Sequence, residues 1–296
     1  MSLTGIFPAL LTAYDDEGEL SRQRTGALVS RLNEAGANGY FVSGSSAECY
    51  LLSTGERLSS LECVREFAED RPLIFHVGAS DHRDTLALAR EAKEAGAAAI
   101  CANIPTYFSY SDESLSAYYS SVRECTDLPL LAYYIPSQTG RTLSSEFFLR
   151  LAQDEVLQGL KYTDSNLSVL AGIIADQPDG FITLGGADDV LLAALAMGAS
   201  GGIGSSYNLA CALYVELFEA HQRGDLTAAR EAQALANRML RTMAGWEFIG
   251  YLKSACRLRG VELGEPRCPM SPITPHGLNE LQQTLASISH LEHRLI

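Results

Sequence analysis

The sequence predicts an α/β fold, a (β/α)8 TIM barrel with a C-terminal three-helix extension. Short apolar runs alternate with amphipathic segments eight times within the first 224 residues, which is near the length of such a barrel. Glycines end several amphipathic segments just before the next apolar run, in EAGAN, EAGAAA and AMGAS, where glycine commonly terminates a helix. A doubly wound sheet shows the same alternation, so the count of eight favours the barrel.

Each predicted strand is a short apolar run that ends at a polar or glycine-rich stretch. Strand six ends at Lys161, within the stretch V-L-Q-G-L-K-Y-T-D at 156–164. The other seven predicted strands lie at 6–12, 39–43, 73–77, 98–102, 130–134, 181–184 and 200–204.

The predicted helices between the strands begin at capping residues, with Ser21 as the first N-cap and Thr54 as the second. A long loop through Tyr110 follows strand four, and a Pro-Ser-Gln-Thr-Gly loop follows strand five. The eight helices lie at 21–36, 54–70, 82–95, 111–124, 144–153, 166–175, 188–197 and 208–223.

The strands stop after Gly224, so we expect a barrel over residues 1–224 and a helical extension over residues 225–296. Three helices are predicted in the extension, with a proline-rich segment at 265–275 between the last two. Because it follows the barrel, the extension is better placed to pack on the barrel or on a partner subunit than to carry chemistry. The three helices lie at 226–243, 245–258 and 278–296.

Composition narrows the class of protein. A hydrophobic content of 47% and a mean hydropathy of +0.02 are typical of a soluble globular protein. A net charge of −14 argues against nucleic-acid binding, and no apolar stretch is long enough to predict a membrane helix. The N-terminus has no basic segment followed by an apolar stretch of signal length, so secretion is not expected. Seven cysteines without a C-x-x-C pair predict reduced thiols in a cytoplasmic protein. The six histidines lack metal-ligand spacing, so a metal site is not expected.

Lys161 is the most informative residue of the chain. Only three of the 22 lysine and arginine residues are lysines, and Lys161 closes a predicted buried strand. A buried ammonium is costly unless it is paired or used. A desolvated lysine amine is also the group that forms Schiff bases with carbonyl substrates. On this pattern alone, a structural ion pair explains Lys161 as well as catalysis does.

Barrel enzymes place functional groups at the C-terminal ends of their strands, and polar residues follow most of the predicted strands here. The small residues at 44–48 offer backbone N–H groups and two hydroxyls to a carboxylate, although alone they indicate an ordinary Gly/Ser turn. A phenol at the end of strand five can shuttle protons near an amine, although most tyrosines only pack with a hydrogen-bonded hydroxyl. Paired aspartates suit the hydroxyls of a polyol, although Asp188 is an equally good cap for the next helix. The candidates are Ser45, Ser46, Tyr107, Tyr133, Lys161, Thr163, Gly186, Asp188, Asp189 and Ser205.

Three motifs stand at strand ends: Tyr-Tyr-Ile-Pro at 133–136, Gly-Leu-Lys at 159–161 and Gly-Gly-Ile-Gly-Ser-Ser-Tyr-Asn at 201–208. Together they resemble the N-acetylneuraminate lyase/dihydrodipicolinate synthase family of class I pyruvate aldolases. The resemblance implies that Lys161 forms a Schiff base with pyruvate and that Tyr133 shuttles protons. It also implies that Ser45 and Ser46 bind the carboxylate in the family's G-[ST]-T-G-E loop. Tyr107 falls on a tyrosine near a subunit contact in the synthases, and the resemblance implies that it belongs to the catalytic group with Lys161, Tyr133 and Ser45.

The lyase branch of this family is favoured over the synthase branch. Synthases carry an arginine two residues beyond the strand-five proline, where this chain has Gln138. A dicarboxylate would lose its bidentate partner there. By resemblance to the lyases, the polyhydroxy chain of a sialic acid would be held by Thr163, Gly186, Asp188, Asp189 and Ser205.

Some positions depart from the family pattern. The loop threonine is Ser46 and its glycine is Ala47, which alters the loop backbone if a positive φ is required. Asp189 stands where lyases often have the longer Glu, and Ala13 stands where a proline is usual. These departures bear on the substrate more than on the aldolase chemistry.

The resemblance implies cleavage of N-acetylneuraminate to pyruvate and N-acetylmannosamine through a covalent Schiff base on Lys161. No metal or organic cofactor is expected, the substrate is a small molecule, and the implied assembly is a homotetramer. Alternatives within the family are dihydrodipicolinate synthase and an aldolase or dehydratase that acts on 2-keto-3-deoxy sugar acids. The alternative from another class is a non-catalytic barrel that binds a sugar acid.

Overall fold

The computed structural model describes residues 3–243, 247–287 and 295. Its sheet contains the strands Gly5–Pro8 (β1), Tyr40–Val42 (β2), Leu73–His76 (β3), Ala99–Asn103 (β4), Leu130–Tyr134 (β5), Gly159–Tyr162 (β6), Ile182–Gly185 (β7) and Gly201–Gly204 (β8). All paired strands are parallel and follow the order β1-β8-β7-β6-β5-β4-β3-β2. A bridge between Ala9 and Phe41 brings β1 beside β2. The sheet is therefore a nearly closed barrel, as the sequence predicted.

Helices connect the strands on the outside of the barrel. Serines at 21, 111 and 144 cap three of them by accepting a backbone N–H in the first turn, which is the capping arrangement that short hydroxyl side chains favour. The helices are Arg22–Glu34 (α1), Thr54–Phe67 (α2), His82–Glu91 (α3), Asp112–Arg123 (α4), Pro136–Thr139 (α5), Ser145–Gln153 (α6), Leu167–Asp176 (α7), Leu191–Met197 (α8) and Tyr207–Gln222 (α9).

Local details differ from the prediction at the start of α2 and in the loop after β5. Ser53, and not Thr54, caps α2, because Ser53 and Glu56 exchange side-chain and backbone hydrogen bonds in a capping box. The predicted loop at 136–140 contains the one-turn helix α5, whose first position is Pro136. Proline suits that position because its φ is already helical and its missing N–H is not needed there.

Three further helices follow the barrel: Leu226–Thr242 (α10), Phe248–Leu258 (α11) and Pro275–Ser287 (α12). Helix α10 packs on α9, and α11 packs on both α9 and α12. Helix α12 begins three residues earlier than predicted, since the Thr274 hydroxyl accepts the N–H of Gly277 at 3.1 Å. The parts of the helix predictions at 245–246, 288–294 and 296 lie outside the described residues.

Apolar side chains fill the lumen of the barrel, which is a packed core and not a pore. This inner cluster includes Phe7, Phe41, Ile74, Leu131 and Ile203. A larger cluster lies between the strands and the surrounding helices. Space for a ligand is therefore expected above the core, at the strand ends. None of the helices in the described ranges combines the length and apolar character needed to cross a membrane.

Candidate active site

A cavity of about 550 Å³ opens at the C-terminal ends of the strands, where barrel enzymes carry their active sites. Loops after β2, β4, β5, β6, β7 and β8 contribute to its walls. Seven of the ten candidate residues line it, namely Ser45, Ser46, Tyr133, Lys161, Thr163, Gly186 and Ser205. Most of the residues that were chosen for their strand-end positions and for the family resemblance therefore share one cavity.

Lys161 and Tyr133 face each other inside the barrel. They are register partners on β6 and β5, and register partners on parallel strands point their side chains in the same direction. The Lys161 ammonium lies 3.9 Å from the centre of the Tyr133 ring and 4.0 Å from the centre of the Phe41 ring. Lys161 is only 3% exposed. Two aromatic faces thus hold the amine by cation–π contacts at the floor of the cavity.

The structure gives no support to an ion pair at Lys161. The other two lysines pair with carboxylates, Lys93 with Asp127 and Lys253 with Glu48. No carboxylate in the described ranges lies within ion-pair distance of Lys161. A buried amine without a carboxylate partner has the surroundings that a carbonyl-reactive lysine needs.

Hydroxyl groups from three strand ends meet beside Lys161. The Ser45 hydroxyl lies 3.4 Å from the Tyr133 hydroxyl, and the Ser46 and Ser205 hydroxyls are 2.5 Å apart. The second contact joins the loop after β2 to the loop after β8 across the cavity. Each of these two hydroxyl pairs can pass a proton or orient an anionic group.

The backbone of the loop after β2 does not require glycine at position 47. Ala47 belongs to the 3-10 turn Ser45–Ala47, and the left-handed φ values near it, both 60°, occur at Ser43 and Glu48. Position 47 does not have a positive φ, so Ala47 does not strain the loop. The Ala47 carbonyl instead accepts a hydrogen bond from the Thr12 hydroxyl at 2.6 Å.

Thr163 and Gly186 form a polar wall of the cavity. The Thr163 hydroxyl is buried and has no hydrogen-bond partner among the described residues. It lies over Gly186, where a Cβ atom would overlap it. An unsatisfied buried hydroxyl costs free energy, and a hydroxyl-bearing ligand in the cavity would remove that cost.

Asp188 and Asp189 lie outside the cavity lining, against the prediction that they contact the substrate. The Asp188 carboxylate accepts hydrogen bonds from the N–H and the hydroxyl of Ser206, at 2.9 and 2.6 Å. Desolvation raises the pKa of Asp188 to about 6, although these hydrogen bonds act in the opposite direction. Asp188 does not cap α8, because the 3-10 turn Asp188–Val190 comes first. Its side chain fixes the loop after β8, and Asp189 is exposed.

Tyr107 also lies outside the cavity of its own chain. Its φ of +83° turns the loop after β4 outward, and the side chain is 94% exposed. Thr106, the preceding residue, lines the cavity instead. The prediction that Tyr107 belongs to the catalytic group is therefore not met within a single chain.

Other cavity residues were missed by the sequence analysis. Asn103 is the last residue of β4 and donates a hydrogen bond to the Tyr50 hydroxyl at 2.9 Å. Asn103 directly follows the strand predicted at 98–102, but only the loop residues beyond it were taken as candidates. Phe248, Ile249 and Met270 of the extension also line the cavity. The extension therefore helps to enclose the cavity with apolar side chains, which no local sequence signal indicates.

A buried polar network lies beneath the site. The Arg57 guanidinium donates to the Ser43 hydroxyl at 2.9 Å and to the His76 carbonyl at 2.5 Å. The His76 ring lies 2.8 Å from the Asn103 amide oxygen. Burial and the Arg57 charge lower the pKa of His76 to about 3. His76 is thus a packed and partnered histidine.

We predict that His76 makes the protein less stable in acid. Its folded-state pKa lies below the ordinary value of about 6.5, so only the unfolded chain binds a proton between those two values. The free energy of unfolding should therefore fall as the pH drops from about 6.5 towards 3, by on the order of 4 kcal/mol from this residue. Denaturant titrations between pH 7 and pH 4 measure that slope.

The variant His76→Gln should show a smaller slope, because glutamine takes up no proton in this range. The control is His82→Gln, since His82 is exposed on α3, and it should keep the slope of the unmodified protein. An unchanged slope in His76→Gln would rule out this account of the acid sensitivity.

The chain has no obvious metal or disulfide chemistry in the described ranges. No group of three His, Cys, Asp or Glu side chains there is arranged to hold a metal ion. All seven cysteines are free thiols, and four of them are buried.

Comparisons with known proteins agree with the geometry of the cavity. The profile of the Dihydrodipicolinate synthetase family matches residues 2–288. An N-acetylneuraminate lyase of Rhizobium meliloti is 34% identical over 289 residues, which cover 97% of this chain and 96% of that protein. A 4-hydroxy-tetrahydrodipicolinate synthase of Natronomonas pharaonis is 29% identical over 97% of this chain and 98% of its own length. The solved structure of the Ruminococcus gnavus sialic acid aldolase superposes with a TM-score of 0.93 and 26% identity, over 99% of both chains.

Proposed function

This chain belongs to the dihydrodipicolinate synthetase family, and we propose that it is a class I aldolase that cleaves N-acetylneuraminate into pyruvate and N-acetylmannosamine. The observation that carries the proposal is the Lys161 amine, buried at the cavity floor between two aromatic rings. The lyase and the aldolase among the similar proteins support the choice of substrate.

In the first half of the proposed reaction, the Lys161 amine attacks the C2 keto carbon of the open-chain sugar acid. Loss of water gives a protonated imine, which is the electron sink for the next step. The pyruvyl carboxylate lies against the loop after β2, near the hydroxyls and N–H groups of Ser45 and Ser46. The protonated imine itself accepts the electron pair of the C–C bond that breaks, so the proposed chemistry needs no further cofactor.

In the second half, the C4 hydroxyl gives its proton to the Tyr133 oxygen, Tyr133 passes its own proton to the Ser45 hydroxyl, and Ser45 releases its own proton to the pyruvyl carboxylate beside it. The C3–C4 bond breaks, its electron pair forms an enamine with the former imine, and the aldehyde of N-acetylmannosamine leaves. Protonation at C3 and hydrolysis then release pyruvate and the free amine. The 3.4 Å separation of the Ser45 and Tyr133 hydroxyls supports this proton path.

The polar wall of the cavity supports a polyhydroxy substrate over a dicarboxylate. The unpartnered Thr163 hydroxyl offers a hydrogen bond beside Gly186, and Ser205 lies across the cavity. Gln138 lines the same space, and its neutral amide cannot form the paired charged hydrogen bonds that an arginine gives a second carboxylate. Asp188 would contribute indirectly, by holding the loop that carries Ser205.

A substrate panel with pyruvate detection tests the proposed function. We expect kcat/KM for N-acetylneuraminate to exceed that for 2-keto-3-deoxy sugar acids by at least about tenfold, because the cavity's hydrogen-bonding groups distinguish polar substrates strongly. Condensation of pyruvate with aspartate semialdehyde should be negligible. Efficient condensation with aspartate semialdehyde, without cleavage of sialic acids, would reject the proposal in favour of the synthase activity.

We further propose that the enzyme is a cytoplasmic homotetramer. Tyr107 and Phe108 are 94% and 69% exposed, and their rings stack edge to face at 4.9 Å. Exposed aromatic side chains next to each other favour a protein contact, and this pair lies near the cavity entrance on the loop after β4. Light scattering should give the mass of four chains, and the mass of one chain would contradict the assembly.

The proposed cytoplasmic location is supported by the seven free thiols, which suit a reducing compartment.

A further inference from the structure

Glu48 and Lys253 form a buried ion pair between the barrel and the C-terminal extension. Glu48 ends the carboxylate loop, by which we mean residues 44–48, and Lys253 lies in α11. The Lys253 Nζ atom is 2.7 Å from Glu48 Oε1, and the two side chains are 1% and 0% exposed. The other carboxylate oxygen, Oε2, accepts the Arg267 backbone N–H at 2.7 Å. Both oxygens of Glu48 are therefore held by the extension.

Further contacts fix the two cations on the extension side. The Tyr14 ring centre lies 4.2 Å from Lys253 Nζ and 4.7 Å from the Arg267 guanidinium carbon. The Arg267 side chain also pairs with Glu56 of α2 at 2.5 Å. Burial lowers the pKa of Lys253, although the neighbouring Glu48 carboxylate acts in the opposite direction. The pair thus lies in a closed and rigid setting.

The burial of these charges is not explained by stability alone. An apolar pair of similar volume is often at least as stabilising as a buried ion pair, because desolvation of the charges offsets their attraction. Glu48 also has a left-handed backbone with φ 60°, a conformation that is unfavourable for a residue other than glycine. Its N–H closes the turn onto the Ser45 carbonyl at 3.0 Å. The fixed side chain therefore maintains a strained turn at the end of the carboxylate loop.

We propose that Lys253 is a positioning residue for the pyruvyl half of the active site. It acts through Glu48, whose held side chain keeps the turn at 45–48 in place and so keeps Ser45 and Ser46 aimed at the substrate carboxylate. The extension thereby becomes part of the apparatus that binds pyruvate. This inference rests on the proposed function, since that function assigns the pyruvyl carboxylate to this loop.

The test compares pyruvate binding in variants that differ in the buried pair. Lys253→Met alone leaves the Glu48 carboxylate buried without a cation, which is strongly destabilising. The double variant Glu48→Gln/Lys253→Met removes both charges and should fold, which circular dichroism and a thermal melt would verify. The measured quantity is the pyruvate concentration that gives half-maximal borohydride trapping of the imine. We expect it to rise at least about tenfold in the folded double variant, because a displaced binding group loses alignment steeply with distance.

The matched control is the exposed pair of Lys93 and Asp127. The variant Lys93→Met/Asp127→Asn makes the same chemical change on the surface and should keep the half-saturating pyruvate concentration. The inference would be overturned if the buried-pair double variant folds and its half-saturating pyruvate concentration equals that of the unmodified protein. If the double variant does not fold, the single variant Glu48→Gln takes its place in the same measurement. It should fold because Lys253 can lose its proton and become neutral beside the uncharged glutamine. Failure of the unmodified protein to form any pyruvate imine would instead reject the proposed function.

Discussion

Replacement of Lys161 by methionine should abolish turnover while the protein stays folded. We expect kcat to fall by at least about 10⁴-fold, the scale of loss seen when an enzyme loses its nucleophile. Methionine matches the length of the lysine stem and keeps its contacts with the Tyr133 and Phe41 rings. Removal of a buried ammonium that has no carboxylate partner should leave the unfolding temperature unchanged or slightly raised. Steady-state kinetics on N-acetylneuraminate and a thermal melt provide both measurements.

The control for this prediction is Lys93→Met. Lys93 is the exposed lysine, paired with Asp127 on the surface, so kcat should stay at the level of the unmodified enzyme. Residual activity of Lys161→Met within about tenfold of that level would show that the imine is not the route. A loss of structure in Lys161→Met would assign the lysine to stability instead.

Replacement of Tyr133 by phenylalanine should separate proton transfer from imine formation. The change removes one oxygen and keeps the ring face that contacts the Lys161 ammonium at 3.9 Å. We expect kcat to fall by about 10²- to 10⁴-fold, the usual contribution of a positioned acid or base. Borohydride should still trap pyruvate on the variant, because its amine is intact. The fall in kcat and the retained trapping are the two measured quantities.

The neighbouring tyrosine provides the control for this second prediction. Tyr134 points away from the lumen, since side chains alternate along a strand, and its ring packs against Phe148 and Tyr162. Tyr134→Phe makes the same chemical change outside the cavity, and its kcat should stay near that of the unmodified enzyme. Equal losses in the two variants would mean that the effect comes from packing of β5 and not from the Tyr133 hydroxyl.

Local sequence signals were sufficient to predict the barrel and most of its floor. Apolar runs and the glycines after helices marked eight strands, and the C-terminal ends of parallel strands necessarily meet at one face of a barrel. The strand-end positions of Lys161, Tyr133 and Thr163 therefore predicted that these residues lie close together, without any information about contacts. Position after a strand did not identify every cavity residue, since Asn103 directly follows the predicted strand four and was not among the candidates.

The remaining features depend on contacts between residues far apart in sequence. Lys253 and Glu48 meet only because α11 packs back onto the barrel, and neither residue lies in a motif that names the other. The left-handed turns at Ser43 and Glu48 are similarly invisible in composition, because both residues are disfavoured there. Asp188 was a reasonable ligand by position, but its carboxylate instead accepts two hydrogen bonds from Ser206.

The central claim is that Lys161 forms the covalent imine, and borohydride trapping tests it most directly. The protein is incubated with pyruvate and sodium borohydride, digested, and examined by peptide mass spectrometry. The chain has only three lysines, Lys93, Lys161 and Lys253, so each can be assigned to its own peptide. We predict one reduced pyruvyl adduct, on Lys161. An unmodified Lys161, or an adduct only on Lys93 or Lys253, would contradict the account.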